Sequence, residues 1–477
     1  MTQADGKPLI VDLDGTLIRT DLLYESLVRV IAQEPWLLLW VPFWFLLGKH
    51  KLKEELARRS DIKVGLLPYN AAVLEYLQWE KARGRRLVLC TGSNVKYAEQ
   101  IAAHLGLFSE VLASDSNRNI TGSYKATLLT EIYGSKEFDY VGNEVKDLSV
   151  WKVSDKAVVV ADSERIIDQV RGIATVEKEI YSPAPQLKDY LKAIRVHQWM
   201  KNLLVFVPLV TAHEVFHLQL VLQSLMAFVT FGLCASGTYI INDLLDLDSD
   251  RVHQSKSQRA FAAGTISIRT GLLAAVGLLA TSGLLLNYMS GNFAATLLVY
   301  LVLTLAYSFR LKRLQTVDII TLAGLYTIRV IAGAAAIEVP LSFWLLSFSM
   351  FLFLCLAIVK RWSELIEMRN QNIEKVAGRG YSVPDIPVLA NLACTSGLMS
   401  VLVLALYVNS TEVTRLYSYP ELLWLICPVM AFWVVRVLIT TSRGQMHEDP
   451  IIFAIKDKNS WLTGLVLGII LALAAYI

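Results

Sequence analysis

The chain has 477 residues, 54% of them hydrophobic, with a mean hydropathy of +0.46 and a formal net charge of +3. This composition excludes an ordinary water-soluble protein, and a charge so close to neutral indicates no partner by itself. After residue 190 the sequence is a series of apolar segments, each about 20 residues long and able to cross about 30 Å of hydrocarbon. The five cysteines lack metal-site spacing, and we interpret them as small apolar residues in a reducing compartment: Cys90, Cys234, Cys355, Cys394 and Cys427.

Polar residues suited to phosphate chemistry follow apolar, strand-like runs in the N-terminal region. Residues 9–16 have the pattern of a buried strand that ends in two carboxylates, Asp12 and Asp14, and a glycine turn. Residues 86–92 repeat the strand pattern and end in the hydroxyl of Thr91. A carboxylate that attacks a phosphate needs a metal and cationic partners, because two anions repel each other.

The order of these motifs resembles that of the haloacid dehalogenase (HAD) superfamily. The resemblance implies that Asp12 is a nucleophile that accepts a phosphoryl group and that Asp14 is its general acid/base. It also implies that Thr91 and Lys125 contact phosphate. The residues expected to hold Mg²⁺ are Asp12, Asp14, Asn143 and Asp147. Asn143 departs from the usual carboxylate, so a docking or regulatory role without catalysis stays open.

Strands that alternate with helices predict an α/β fold with a doubly wound parallel sheet for residues 1–180. Residues 21–70 are expected to form a helical cap. Within it, residues 35–47 are apolar but too short to span a bilayer, so they either dip into a leaflet or form an ordinary cap core. Residues 181–200 are expected to be a linker with an interfacial helix, and residues 201–477 an all-α membrane domain.

Nine apolar segments are candidates for transmembrane helices. They begin near Asn202, Leu218, Ile268, Asn292, Val317, Ser342, Ile386, Glu421 and Trp461. One set of connecting loops is rich in Lys and Arg, whereas the alternate set, which includes Thr411, contains only Arg415. The positive-inside rule therefore predicts that the soluble region and the basic loops are cytoplasmic. We expect the membrane to be the inner (plasma) membrane of a bacterium.

A run of carboxylates, from Asn242 to Asp250, ends one of these apolar segments. If the run is helical, Asp243, Asp246 and Asp250 share one face, because residues three and four apart are neighbours on a helix. Such a face suits Mg²⁺, which takes one or two carboxylates together with substrate phosphates. A solvated acidic loop is the alternative interpretation.

The pattern Asn-Asp-x-x-Asp-x-x-x-Asp resembles the first aspartate-rich motif of the UbiA superfamily of intramembrane prenyltransferases. Its flanks resemble the branch of decaprenyl-phosphate phosphoribosyltransferases. The resemblance implies that Mg²⁺ is held by Asn242, Asp243, Asp246 and Asp250 and that the diphosphate of a substrate binds there. The flanking residues implied to bind substrate are Lys201, Asn202, Arg251, Lys256 and Arg259.

Two later basic loops distinguish between substrates. Tyr307, Lys312 and Asp318 match a second loop of the family and are expected to contact substrate. Where aromatic prenyltransferases of the family carry a second aspartate pair, this chain has Lys360 and Arg361. Two cations favour an additional phosphate over a second metal.

We therefore predict an enzyme that moves 5-phosphoribosyl from phosphoribosyl pyrophosphate to a polyprenyl (decaprenyl) phosphate, for cell wall biosynthesis. The HAD domain is expected to dephosphorylate the product. Its partners would be Mg²⁺, the two substrates and the membrane, without nucleic acid; a homo-oligomer stays open. The alternatives are transfer of an isoprenyl chain to an aromatic acceptor, with the HAD half as a docking or regulatory module, and a secondary transporter.

Overall fold

The computed structural model describes residues 6–116, 118–370, 380–410, 413, 417–446 and 449–476. Two compact units divide the chain. The first unit consists of Met1–Ile194 and Tyr239–Ala275, and the second unit consists of Arg195–Thr238 and Val276–Ile477. Thr411 and Arg415, which entered the topology prediction, lie outside the described residues.

A six-stranded parallel sheet forms the centre of the first unit. Its strands are β1 (Leu9–Val11), β2 (Leu87–Asn94), β3 (Glu110–Ser114), β4 (Asp139–Gly142), β5 (Lys156–Ala161) and β6 (Thr175–Tyr181), in the spatial order β3-β2-β1-β4-β5-β6. Because β1 pairs with both β2 and β4, the residues at the carboxyl ends of these three strands meet at one edge of the sheet.

Helices cover both faces of this sheet, as predicted for a doubly wound fold. Leu9 and Val11 belong to one buried apolar cluster and Ile10 to another, so successive side chains of β1 enter different cores. The helices of this part of the unit are α1 (Leu22–Gln33), α2 (Val41–Leu46), α3 (Lys49–Arg59), α4 (Ala71–Ala82), α5 (Val95–Leu105), α6 (Gly122–Tyr133), α7 (Leu148–Trp151), α8 (Glu164–Arg171) and α9 (Leu187–Ala193).

The cap consists of α1, α2 and α3 with two short 3₁₀ helices, Pro35–Leu39 and Val64–Leu66. Asp21 begins α1 as its N-cap, and its side chain accepts a hydrogen bond of 2.8 Å from the backbone N–H of Leu23. The cap has a small core of its own, formed by Val30, Leu37, Trp44, Leu52 and Leu56. The predicted helical insert is therefore present.

The remaining helices are α10 (Val207–Thr211), α11 (Leu218–Leu245), α12 (Leu247–Val252), α13 (Ile268–Leu285), α14 (Gly291–Phe309), α15 (Val317–Ala336), α16 (Phe343–Asn370), α17 (Ile386–Val408), α18 (Ile426–Ser442), α19 (Pro450–Lys456) and α20 (Lys458–Tyr476). Within the described part of the chain, eight helices are long and apolar enough to cross a membrane. These eight correspond to all but the first of the nine predicted spans.

The first predicted span, near Asn202, is not a long helix. Val196–Phe206 is a 3₁₀ helix and continues only into the short helix α10. Lys201 and Asn202 are buried in this segment, which an unbroken lipid-facing helix would not require. It packs tightly in the second unit, since a Cβ on Gly333 of α15 would lie 2.1 Å from the carbonyl oxygen of Val205.

Candidate active sites

A hydrogen-bonded network joins the motif residues at the carboxyl ends of β1 and β4. The ammonium of Lys125 lies 2.6 Å from Oδ1 of Asp12 and donates a second bond, of 3.0 Å, to the hydroxyl of Tyr140. Tyr140 in turn donates to Oδ1 of Asp147 at 2.8 Å. The side chains of Asp12, Lys125 and Asp147 are buried, so each charge depends on this network rather than on water.

Asp12 and Asp14 differ in their electrostatic surroundings. Burial raises the pKa of Asp12 to about 6, although the adjacent Lys125 lowers it. Burial, with a further contribution from Asp21, raises the pKa of Asp14 to about 7. Asp14 accepts hydrogen bonds from the Ser93 hydroxyl at 2.6 Å and from the backbone N–H of Leu22 at 2.9 Å. Burial thus raises the pKa of both carboxyl groups, and the ammonium of Lys125 opposes this effect at Asp12, where it favours the ionised form that a nucleophile requires.

Thr91 and a lysine from the cap border the same edge of the sheet. The fully buried Thr91 hydroxyl accepts a hydrogen bond of 3.0 Å from the backbone N–H of Ser93. Lys53 of α3 donates to the carbonyl oxygen of Gly92 at 2.6 Å and to Asn119 at 3.0 Å, and burial lowers its pKa. Lys53 was not predicted at this position, because only the folded cap brings it to β2.

Asn143 lies where a metal ligand is expected. Its Oδ1 accepts a hydrogen bond of 2.9 Å from the hydroxyl of Thr16, which also lies 3.4 Å from Oδ2 of Asp12. Oδ2 of Asp12 and Oδ1 of Asn143 therefore both lie near the same hydroxyl group, that of Thr16. Gly15 has a φ of +76°, and a Cβ there would lie 2.4 Å from the amide of Asn143, so glycine is required at this turn.

The carboxylates of the second motif lie in the last turn of α11, which contains Asp243, and in the segment that follows it, which contains Asp246 and Asp250. The helix is interrupted at Asp246, the N-cap of α12, so two helices stand where a single helix was expected. Backbone hydrogen bonds from the N–H of Asp246 to the carbonyl of Asn242 and from the N–H of Asp250 to the carbonyl of Asp246 continue across the interruption. Asp243 and Asp250 are buried and share one cation: Nη1 of Arg259 lies 3.1 Å from Asp243 and 2.7 Å from Asp250. A solvated acidic loop is inconsistent with this burial.

Burial also affects the electrostatics of this carboxylate pair. It raises the pKa of Asp250 to about 6, against the lowering effect of Arg259, and Asp243 adds a further increase. Asn242 donates a hydrogen bond of 3.2 Å to the carboxylate of Asp246. One oxygen atom of Asp243 and one of Asp250 lie within 3.1 Å of the same nitrogen atom of Arg259, so the two carboxylates are close together.

Neither site is a preformed all-protein metal cage. Throughout the described residues, no three His, Cys, Asp or Glu side chains are grouped so that they could hold a metal ion. The oxygen donors nevertheless fit Mg²⁺, which keeps several waters and commonly uses one or two carboxylates with substrate oxygens.

Arg251 pairs with the cap of the first unit. Its Nη2 lies 2.5 Å from Oε1 of Glu25, and the side chain of Glu25 is fully buried. Arg29, one turn further along α1, makes two hydrogen bonds to Asp248, the one from Nη1 measuring 2.7 Å. The guanidinium of Arg251 thus already binds a protein carboxylate, which argues against the expected contact with substrate.

In the second unit, Lys201 and Lys360 converge on one carboxylate. Lys201 forms an ion pair with the buried Asp449, and Lys360 lies 3.5 Å from the same carboxylate. Burial alone would raise the pKa of Asp449, but the two lysines hold it well below its usual range. Asp449 was not predicted, because it lies about 250 residues from Lys201 and has no motif around it.

Asn202 lies beside Lys201 in sequence and is almost completely buried. Its Oδ1 accepts a hydrogen bond of 2.9 Å from Arg329 of α15. Among the described residues, its Nδ2 has no hydrogen-bond partner. An unsatisfied buried donor is costly unless a ligand or water completes it.

Arg361, Asp318 and Tyr307 bind one another. The buried guanidinium of Arg361 forms an ion pair with Asp318, donates to Tyr307 at 2.7 Å and reaches both oxygens of Glu364 at 2.6–2.7 Å. Tyr307 also donates to Asp318 at 2.7 Å. The structure thus argues against the expected phosphate grip of Arg361, because its donors are already committed to protein acceptors. Lys256 and Lys312 are half-buried, each in a short 3₁₀ helix.

Comparison with known families agrees with both halves of this architecture. The model of the UbiA prenyltransferase family matches residues 203–453, more than half of the chain, and that of the haloacid dehalogenase-like hydrolases matches residues 9–136. The chain therefore belongs to the UbiA prenyltransferase family and carries an N-terminal HAD domain. It is an integral membrane protein that combines two enzyme families.

Relatives differ in how much of the chain they cover. The uncharacterized protein y4nM of Sinorhizobium fredii is 37% identical over 97% of this chain and 90% of its own length. The nodulation protein NoeC of Azorhizobium caulinodans is 33% identical over 59% of this chain and 92% of its own length. Decaprenyl-phosphate phosphoribosyltransferase of Mycobacterium tuberculosis is 37% identical over 38% of this chain, which spans only 62% of that relative.

Two solved structures are similar to the separate halves. A UbiA homolog from Archaeoglobus fulgidus, bound to DMAPP and Mg²⁺, covers 60% of this chain and 97% of its own, at 18% identity and a TM-score of 0.46. A phosphoserine phosphatase covers 39% of this chain and 98% of its own, at 15% identity and a TM-score of 0.27.

Proposed function

We propose that the membrane half transfers 5-phosphoribosyl from phosphoribosyl pyrophosphate to a polyprenyl phosphate such as decaprenyl phosphate. The HAD domain then removes the 5-phosphate from the lipid product. Relatives named decaprenyl-phosphate phosphoribosyltransferase support the transfer, and y4nM supports the fusion, because it matches along nearly the whole chain. The substrates themselves are inferred from the residues of the second unit.

The convergence of Lys201 and Lys360 on Asp449 carries the proposal. Among the described residues, the buried Lys201 and the half-buried Lys360 share the carboxylate of Asp449, and the surplus positive charge is one that a phosphate dianion would neutralise. The unpaired amide of the neighbouring Asn202 supplies a further donor of the kind that a phosphate oxygen accepts. An additional phosphate group distinguishes phosphoribosyl pyrophosphate from an isoprenyl diphosphate.

Asp243 and Asp250 would hold Mg²⁺, with Asn242 and Asp246 nearby. When bound, the ion supplies positive charge to the diphosphate. Arg259, which balances the two carboxylates, would be displaced from them once another cation takes its place.

The transfer itself needs little proton chemistry. An oxygen of the lipid phosphate forms a bond to C1 of the ribose, and the bond from C1 to the pyrophosphate oxygen breaks, so that pyrophosphate leaves with the electron pair. Because the lipid phosphate is already anionic near neutral pH, no general base is required. The contribution of Lys201 and Lys360 is to orient a phosphate group and to offset its charge.

The HAD reaction uses a different set of residues. An oxygen of Asp12 attacks the phosphorus of the 5-phosphate, and Asp14 donates its proton to the departing ribose oxygen. Asp14 then takes a proton from the water that hydrolyses the aspartyl phosphate, which restores Asp12 and releases inorganic phosphate. Lys125 holds Asp12 in position throughout.

Transfer of an isoprenyl chain to an aromatic acceptor is the second candidate, and the NoeC relative keeps the choice of acceptor open. The cations in α16 argue against it, since Lys360 and Arg361 occupy the place of the second aspartate pair. Under that alternative the HAD half would be a docking or regulatory module without catalytic activity.

The proposal is tested with the purified full chain in lipid nanodiscs containing Mg²⁺. We expect phosphoribosyl pyrophosphate labelled with ¹⁴C in its ribose to yield labelled lipid when decaprenyl phosphate is present, followed by release of inorganic phosphate. Labelled lipid formed only from an isoprenyl diphosphate and an aromatic acceptor would reject the phosphoribosyl assignment. The proposed cytoplasmic orientation in a bacterial inner membrane is checked by protease access to the HAD domain in inverted vesicles.

A further inference from the structure

The cap displays a continuous apolar surface, which we name the cap patch: Trp36, Leu38, Leu39, Trp40, Phe43, Phe45, Leu46 and Leu47. Each of these side chains is more than half exposed, up to 82% for Leu39 and 83% for Leu46. Large exposed patches of this kind mark interaction sites, because water-soluble surfaces rarely group so many apolar side chains. We propose that the cap patch inserts into the interfacial region of a lipid leaflet and holds the HAD domain against the membrane.

The local structure fits a surface that lies in the membrane interface. The patch residues lie on the 3₁₀ helix Pro35–Leu39 and the six-residue helix α2, and at Trp40 and Leu47, which follow these two helices directly. At a rise of about 1.5 Å per residue, α2 extends about 9 Å, far less than the thickness of the hydrocarbon core. The segment can therefore enter one leaflet but cannot cross the bilayer.

Two buried anchors fix the patch on the cap. Leu37 and Trp44 point inward and pack with Leu52 and Leu56 of α3. Arg59 lies over the Trp44 ring, with its guanidinium carbon 4.8 Å from the ring centroid. The apolar face is thus held outward by a packed core, and lipid insertion needs no rearrangement of the segment.

Charge identifies a lipid surface as the occupant. Helix α3, which follows the patch directly, contains five Lys and Arg residues but only two Glu residues. Lys49 is exposed, and the side chain of Arg58 is 69% exposed. Aromatic residues beside basic residues are typical of segments that bind anionic lipid headgroups, and the chain is already anchored in a bilayer by its own helices.

The same helix connects the patch to the phosphatase site. Lys53 of α3 reaches the carbonyl oxygen of Gly92 next to Thr91. Membrane docking would therefore bring a lipid-borne phosphate to the HAD site. This consequence rests on the proposed function, whereas the docking itself does not.

Fluorescence quenching tests the docking without either reaction. The full chain, with Cys394→Ser and Cys427→Ser to remove the two cysteines that are not buried, receives an NBD label at Trp40→Cys or Trp79→Cys. The two tryptophans are matched, with exposures of 51% and 52% in the same unit. In nanodiscs with 20 mol% phosphatidylglycerol and doxyl-labelled lipid, we expect at least twofold quenching at position 40 and little at position 79.

Equal, weak quenching at both positions would overturn the proposal. Leu39→Cys provides a second labelled position, so that a folding defect of one variant does not decide the result. If the label at position 40 is unquenched and Trp40→Ser instead converts a dimer into a monomer, the cap patch is a contact between two copies of this chain. Lys49→Glu with Arg58→Glu should reduce quenching in anionic but not in zwitterionic nanodiscs.

Discussion

The first unit contains two buried carboxylate clusters that differ in how their charge is balanced. The side chain of Lys125 is 4% exposed, whereas that of Arg259 is 28% exposed. Lys125 lies 113 positions from its partner Asp12 in the sequence, and Arg259 lies only nine positions from Asp250. The lysine is a fixed part of its site, because it also donates a hydrogen bond to the hydroxyl of Tyr140. The arginine is a local, partly exposed partner. Under the proposed function, the difference suits covalent chemistry at the first cluster and displacement of Arg259 by a metal–diphosphate complex at the second.

Asp12→Asn should have the largest effect, because it removes the attacking atom. We expect phosphate release to fall by at least about 10⁴-fold. Transfer should continue at the wild-type rate, so the 5-phosphorylated lipid accumulates and can be detected by mass spectrometry. Asp155→Asn, which alters a surface pair with Lys7, is the matched control. An identical lipid product from the wild type and Asp12→Asn would make the HAD half a docking or regulatory module.

Asp243→Asn should impair the transfer reaction and leave phosphate release intact. Loss of one carboxylate of the pair leaves Arg259 with Asp250 alone, and we expect transfer to fall by about 10²–10³-fold, the usual loss when electrostatic stabilisation is removed. Phosphate release from preformed lipid substrate should not change. Asp248→Asn, an acid of the same segment that pairs with Arg29, should retain most transfer. Equal losses in both variants would contradict a specific role for Asp243.

Arg259→Gln tests whether the cation of the second cluster is replaceable. Without the arginine, the pKa of Asp250 should rise further above about 6, so the carboxylate is ionised less completely near neutral pH. We expect about a tenfold loss of transfer at pH 6.5 that excess Mg²⁺ and a pH above 8 largely restore. A loss that neither condition restores would show that Arg259 contacts the substrate throughout.

Asn143→Asp should strengthen the binding of Mg²⁺ at the first cluster. A carboxylate there could still accept the hydrogen bond from Thr16 and would add a negative ligand beside Asp12. We expect the Mg²⁺ concentration for half-maximal phosphatase activity to fall by about 3- to 10-fold. Asn143→Ala removes the side-chain oxygen without adding a charge, and it should raise the Mg²⁺ concentration for half-maximal activity. An unchanged metal requirement in both variants would remove residue 143 from the metal site.

The sequence was most informative where function requires a local motif. Asp12, Asp14 and Asn143 could be placed because parallel strands bring their carboxyl ends to one edge. Residues that act through distant partners left no such signal: Lys53 reaches β2 only through the cap, and Asp449 meets Lys201 only in the folded second unit. The ion pair of Arg361 with Asp318, 43 positions away, was likewise not evident from the sequence.

Ser93→Ala should have the smallest effect and tests the proton chemistry of the first cluster. The hydroxyl of Ser93 donates to Asp14 at 2.6 Å and lowers a pKa that burial raises to about 7. Without this bond the pKa of Asp14 should rise, because the ionised form loses a donor. Both the step that needs protonated Asp14 and the step that needs its anion then shift in the same direction, so the pH–rate profile of phosphate release should move upward by about 0.5–1 pH unit. Ser149→Ala, which removes only an exposed hydrogen bond, should leave the profile in place. A shift toward lower pH in Ser93→Ala would mean that Asp14 is not the titrating group.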